Sequence, residues 1–292
     1  MTSSLRVLLA LCLLAFAPLL PAQTESPALW KIAGPKSNVY LFGSFHLLPK
    51  DVHWRTQRIG AALDEAKVVV LEIDPAVSQD QQAVMKLIVK HGLLPQGQTL
   101  PDVLPPEVNA ELERQAAALG MPPASLAPMR PWLAALMLGV QFIVSQGYDP
   151  NAGVDHQIAA WARQSGRTVA GLESMDDQFR GLAGLKREQE IELLAVSLKQ
   201  IRETPQMLSQ MLAAYRKGDV AGIERLMNDG FKELPGLRKS MLRDRHENWL
   251  PRIQRMIADG RTHFVVVGAA HLAGPDSVVA MLRATGIKVE GP

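Results

Sequence analysis

The chain has almost no thiol chemistry to offer. Only one of its 292 residues is a cysteine, Cys12, and it lies in a segment expected to be removed. Arg6 precedes an unbroken apolar run from Val7 to Leu20, and Pro21-Ala22-Gln23 and a polar stretch follow. This is the order of a secretory signal peptide, and the run is too short to span a bilayer comfortably. Cleavage is expected after Ala22, which leaves residues 23–292 as a mature chain exported to the periplasm or secreted. Cys12 sits inside the run and not at its end, which argues against lipid attachment. Disulfides, zinc–thiolate sites and cysteine nucleophiles are therefore excluded for the mature chain.

An excess of charge of one sign is also lacking. Lys plus Arg number 31 and Asp plus Glu 29, a balance of +2 with no long basic or acidic run. Nothing here points to nucleic acid or an anionic membrane as partner. The one internal apolar stretch of note, Trp132 to Val144, is interrupted by Gln141 and bounded by Arg130 and Ser145. It is shorter than the ~20 residues of a membrane span and is expected to be a buried core helix. Also missing are a Gly-x-Ser-x-Gly elbow, a His-Glu-x-x-His helix, a Walker loop and a Gly-x-Gly-x-x-Gly turn. No internal repeat or low-complexity linker divides the chain, so a single elaborated domain is expected over 23–292.

What is present is 47% apolar residues, enough for a proper core. Runs of strand length recur at 29–33, 39–42, 68–73, 168–172 and 264–267, rich in β-branched residues and bounded by turn signals. The first two flank Gly34-Pro35-Lys36-Ser37-Asn38, a loop of hairpin size. Helical patterns fall at 54–66, 79–90, 105–119, 131–146, 154–164 and through much of 187–259. The expected class is α/β, a mixed central sheet beginning with an N-terminal hairpin and covered by many helices. Residues 176–260 are expected to form a helical insertion that wraps or lids the sheet.

Chemistry is concentrated where the apolar runs end. NVYLFGSFH delivers His46, VVVLEID delivers Glu72 and Asp74, TVAGLE delivers Glu173, and HFVVVGAAH delivers His271. Ligands of open α/β sheets bind outside the carboxyl ends of the strands. The two histidines end matching Gly-x-x-His motifs, 225 residues apart, in which glycine permits a sharp turn or a close approach. Each histidine alone has a bland reading, a satisfied residue at a strand end. As a pair with a carboxylate they suit a divalent metal (Mn, Co or Zn) that keeps a place for water. Glu72 ends a run that should be buried, so its charge must be paired or coordinate something.

Other positions keep two readings. Asp74, before Pro75, is expected to cap a turn. Glu173 either stabilises a loop or takes part in the site. Asp155 is either a first-turn carboxylate or the support of a histidine. Arg245 is either a solvated helix residue or a holder of an anionic or carbonyl group, and His246 is expected at the surface or behind a site residue. Gly43, Ser44, Gly268 and Asn248 are assigned to substrate contact.

The segments LFGSFHLLP, VVVLEID, Gly153-Val154-Asp155, GLES, Arg245 to Trp249, VVVGAAHLAG and LRATGIKV together resemble the TraB/GumN family. That group includes the Tiki metalloproteases and belongs to a wider superfamily with erythromycin esterase and the haem-binding ChaN proteins. The resemblance implies a mixed α/β fold with His46, Glu72 and His271 in one site and Asp155, Glu173 and Arg245 close by. For the Tiki branch it implies metal-dependent peptide cleavage. One departure stands out: the family commonly carries an asparagine directly after the arginine, and this chain has His246.

The expectation is thus a periplasmic metal-dependent hydrolase acting on a peptide or small-molecule amide. In it Glu72 serves as ligand or general base, and Arg245 stabilises developing negative charge. Its rivals are a haem- or small-ligand-binding protein without catalysis, and a metal-free esterase that uses one histidine as base.

Overall fold

All five apolar runs become strands of one sheet in a computed structural model that describes residues 25–203 and 206–292. The expected signal peptide, 1–22, and Cys12 lie outside the described residues. The strands are β1 (Leu29–Ala33), β2 (Asn38–Ser44), β3 (Val68–Ile73), β4 (Thr168–Glu173) and β5 (His263–Gly268), arranged in the order β1-β2-β5-β3-β4. β1 pairs antiparallel with β2, from Leu29 opposite Phe42 to Ala33 opposite Asn38. Gly34 N–H donates to Ser37 O to close the loop between them. The remaining pairings are parallel, so the sheet is mixed and opens with a hairpin, as expected.

The central strands are apolar without interruption because helices cover both faces. Successive residues point to opposite sides, which splits the sheet's side chains into two clusters. Tyr40, Phe42, Val69, Leu71, Phe264 and Val266 pack with Ile59, Leu63, Val154 and Ile158 on one face. Val39, Leu41, Val68, Val70, Val265 and Val267 pack with Trp249, Ile253, Val278 and Leu282 on the other. Each such side chain contributes roughly 1.5–3 kcal/mol by leaving water.

A third cluster lies away from the sheet. Leu112, Leu126, Ala134, Leu138, Leu194 and Leu198 join helices Pro106–Ala118, Pro131–Ser145 and Arg187–Glu203, beside a buried Arg130–Glu190 ion pair. The range 176–260 is helical as expected, through Met175–Ala183, Arg187–Glu203, Met207–Arg216, Val220–Phe231 and Asp244–Ala258. Its partner in this cluster is the stretch between β3 and β4, so the helical layer is built from two parts of the chain. The expected core helix, Pro131–Ser145, buries one side. Trp132, Leu133 and Leu138 are inside, while Leu136, Met137 and Val144 are exposed. Among the described residues no helix is long and apolar enough to cross a membrane.

The topology gathers the strand ends. β5, last in the chain, enters between β2 and β3, which sets the ends of β2, β5, β3 and β4 side by side. Ser44 lies opposite Gly268 in the β2–β5 register, so the two Gly-x-x-His motifs leave neighbouring parallel strands one residue out of step. This is the kind of crevice in which α/β sheets bind ligands.

Candidate active site

Three glycines bring the reactive side chains together. A Cβ on Gly43 would come within 3.1 Å of the Cα and Cβ of Ala269, so the first motif's glycine lets the second motif pack against β2. A Cβ on Gly153 would strike His46 O at 2.1 Å. Without one, Val154 N–H donates to Phe45 O at 2.9 Å, and helix Val154–Gln164 begins directly on the His46 loop. That start places Asp155 Oδ1 3.0 Å from His46 Nδ1. The third is Gly268, whose missing side chain leaves a gap about the size of a methyl group between three of the site's side chains. A Cβ there would lie 3.4 Å from Glu72 Oε1, 3.4 Å from His271 Cδ2 and 3.7 Å from His46 Nε2.

Behind this gap sits Arg245, on helix Asp244–Ala258. Its Nη2 donates to Glu72 Oε2 and to Glu173 Oε1, each at 2.5 Å. Its Nε donates to Glu173 Oε1 at 3.0 Å, and its Nη1 to Met241 O and to His271 Nε2, both at 3.2 Å. A guanidinium has five N–H donors, and all five are committed to the protein. Glu72 Oε1 accepts from Gly268 N–H at 2.7 Å and Oε2 also from Gln178 Nε2 at 3.3 Å. Trp249 Nε1 donates to Glu173 Oε2 at 3.1 Å, and the Arg245 guanidinium lies 4.7 Å over the Trp249 ring.

These contacts push the titrating groups apart. Burial would raise the Glu72 carboxyl, but the positive charges of His271 when protonated, Arg245 and His46, with the Gly268 N–H, hold it down at about 2. It stays ionised at neutral pH. Glu173 is held above its usual value, by burial first and also by the Glu72 charge, against the bonds from Arg245 and Trp249. His271, inside the protein with Arg245 beside it, falls to about 3, burial outweighing the pull of Glu72. His46 goes the opposite way. Burial lowers it, yet the Asp155 hydrogen bond and charge, with Glu72, raise it toward about 9. With 57% of its side chain exposed, solvent screens part of that attraction.

The structure thus brings together His46, Glu72, His271, Asp155, Glu173, Arg245 and Gly268. Asp155 takes the histidine-supporting reading, and Asp74 caps the next turn through Ala76 N–H as expected. Four assignments change. Asn248 is exposed, because successive helix residues turn by about 100° and the inward face carries Arg245, His246 and Trp249. Ser44 is 3% exposed with its Oγ unpartnered, and Gly43 is a packing glycine, so neither presents a surface to substrate. Arg245 has no spare donor for an oxyanion and acts by charge and by holding its neighbours.

Sequence reasoning did not find Gln178, an ordinary helix residue with no local mark of a site, and gave Trp249 no role beyond the Arg245 to Trp249 segment. His246 takes the second of its two readings, behind a site residue, and is 1% exposed. Its Nε2 lies 2.8 Å from His271 Nδ1 and its Nδ1 2.7 Å from Asp276 O.

The donor types for the expected metal are present, and Glu72 Oε1 stands 3.5 Å from His271 Nε2. Arg245, however, bonds both groups, and among the described residues no three His, Asp or Glu side chains are arranged to hold an ion. In this arrangement the Arg245 guanidinium takes up contacts of Glu72 and His271 that a metal would use.

Residues 28–291 match the TraB/PrgY/gumN family, which spans every strand and every site residue above. The chain belongs to the TraB/PrgY/gumN family. It is similar to an uncharacterized protein of Treponema pallidum (strain Nichols), 23% identical over 266 residues that cover 87% of this chain and 79% of the relative. It is equally similar to the uncharacterized protein YbaP of Escherichia coli (strain K12), 23% identical over 244 residues, 84% of this chain and 87% of the relative. No solved structure matches the chain.

Proposed function

We propose that this TraB/PrgY/gumN protein is a hydrolase that adds water to an amide or ester carbonyl of a peptide or related small molecule, with His46 as the group that moves the proton. The observation that carries this reading is the convergence of His46 Nε2, Glu72 Oε1 and the His271 ring edge on the gap beside Gly268. Asp155 accepts from His46 Nδ1–H, which leaves Nε2 turned to the gap. This is the arrangement that orients an imidazole as general base and then general acid. Unprotonated Nε2 takes a proton from water as the water oxygen bonds to the carbonyl carbon. The same proton then passes to the departing nitrogen or oxygen as its bond to carbon breaks, giving an acid and an amine or alcohol.

Glu72 Oε1 keeps lone-pair capacity beyond the Gly268 N–H, and it can accept the second hydrogen of that water. Its carboxylate and Arg245 neutralise each other, so the negative charge developing on the carbonyl meets the newly formed His46 imidazolium. The N-terminal segment supports action outside the cytoplasm.

A second reading, a Mn, Co or Zn ion at the same point, is favoured by the 3.5 Å spacing of Glu72 Oε1 and His271 Nε2. It requires Arg245 to release both. Turnover of a panel of peptides, amides and esters by the purified mature chain, beside elemental analysis and chelation, tests both readings. Activity lost in His46→Ala and kept after chelation supports the first. Stoichiometric metal whose removal abolishes activity supports the second.

A further inference from the structure

His271 is contacted on both ring nitrogens by consecutive residues of one helix. Arg245 Nη1 lies 3.2 Å from Nε2 and His246 Nε2 lies 2.8 Å from Nδ1. Beyond His246, its Nδ1 lies 2.7 Å from the backbone oxygen of Asp276. The two ends of this chain have fixed roles. A carbonyl oxygen only accepts and a guanidinium only donates. His246 Nδ1 must therefore carry a proton, and His271 Nε2 must carry a bare lone pair. A neutral His271 with a bare Nε2 has its proton on Nδ1, and that proton is donated to His246 Nε2. Every hydrogen in the run from Asp276 to Arg245 is then placed without reference to charge state.

We infer that His246 is a positioning residue: together with Arg245 on the other ring nitrogen, it holds His271 in the Nδ1–H tautomer, whose Nε2 lone pair accepts from Arg245 Nη1. The edge-on packing of the two rings, with centroids 5.0 Å apart at 79°, and the Trp249 ring 4.7 Å from His271 fix the imidazole against rotation. His246 does this from a buried place, 1% exposed, where a lost partner cannot be replaced by bulk water. The consequence for the site is a fixed ring that keeps Arg245 in place beside Glu72. Only the effect on hydrolysis rests on the function proposed above; the tautomer itself is readable with no substrate.

The test uses the full mature chain labelled with 15N-histidine. Long-range 1H–15N spectra separate the two tautomers, and a coupling between His246 Nε2 and His271 Nδ1 reports the hydrogen bond directly. The expected result is a Nδ1–H His271 coupled to His246 in the unaltered protein. His246→Phe keeps a ring of similar size but no acceptor, and should leave His271 without a single tautomer. His246→Asn should restore it, because an amide can accept from His271 and donate to Asp276 O. Hydrolysis should fall roughly 10–100-fold in His246→Phe and recover in His246→Asn. A His271 found as Nε2–H, or unchanged in tautomer and rate in His246→Phe, overturns the inference. Should His246→Phe not fold, the coupling in the unaltered chain decides alone. The expected tautomer in a protein that hydrolyses nothing would uphold the inference and defeat the functional reading.

Discussion

The two Gly-x-x-His motifs are alike in sequence and opposite in setting. His46 has 57% of its side chain exposed, beside a carboxylate, and its pKa is pushed up. His271 has 8% exposed, between an arginine and a second histidine, and its pKa is pushed down. The same residue type at the same strand-end position has thus become an exposed ring with a raised pKa on one side and a buried ring with a lowered pKa on the other. Motif identity placed both rings at one crevice, and their neighbours divided the work.

The sharpest way to break this comparison is to truncate each ring. His46→Ala should reduce hydrolysis by roughly 10²–10⁴ while costing less stability than His271→Ala, since the ring is 57% exposed and solvent screens its pairing with Asp155. His271→Ala should instead cost about 2–4 kcal/mol, by leaving a cavity and by stripping His246 and Arg245 of a partner. Equal losses of melting temperature in the two variants would erase the distinction.

Arg245→Met comes next, at about 3–5 kcal/mol in denaturant unfolding, because it leaves Glu72 and Glu173 buried without their counter-charge. A smaller and more local probe is Gly268→Ala. Its φ of −50° suits any residue, and the added methyl meets its neighbours at 3.4 Å or more. Stability should change by less than about 1 kcal/mol while the filled gap blocks substrate; unimpaired turnover would show that the gap is not where substrate sits.

The smallest effects separate the rings by pH. The His46 pKa is raised, so the stability it contributes is present below its ordinary 6.5 and is lost as pH rises toward about 9. The His271 pKa is depressed, so its contribution is present above 6.5 and is lost as pH falls toward about 3. Asp155→Asn should flatten the alkaline side of the stability profile and leave the acid side alone. In the same variant the rate, which rises with pH as His46 loses its proton, should show its inflection at lower pH.

Much of this was legible along the chain. Strands 68–73 and 263–268 fall where apolar β-branched runs lie between turn residues. His46, Glu72, Glu173 and His271 were visible because each ends such a run. Asn248 was misplaced because it neighbours Trp249 in sequence while the helix turns it outward. His246 kept two readings along the chain, and the packing of helix Asp244–Ala258 that brings it against His271 decided for the buried one.

The sequence by itself determined the α/β class, the family and the strand-end positions of the reactive groups, because alternation, apolar runs and glycine spacing act over a few residues. Tertiary structure alone decided that β5 enters between β2 and β3, that Arg245 spends every donor on the protein, and that one histidine is wet and the other dry. Those outcomes depend on which surfaces meet across more than 200 residues of chain, and burial and charge pairing are properties of that meeting rather than of any segment.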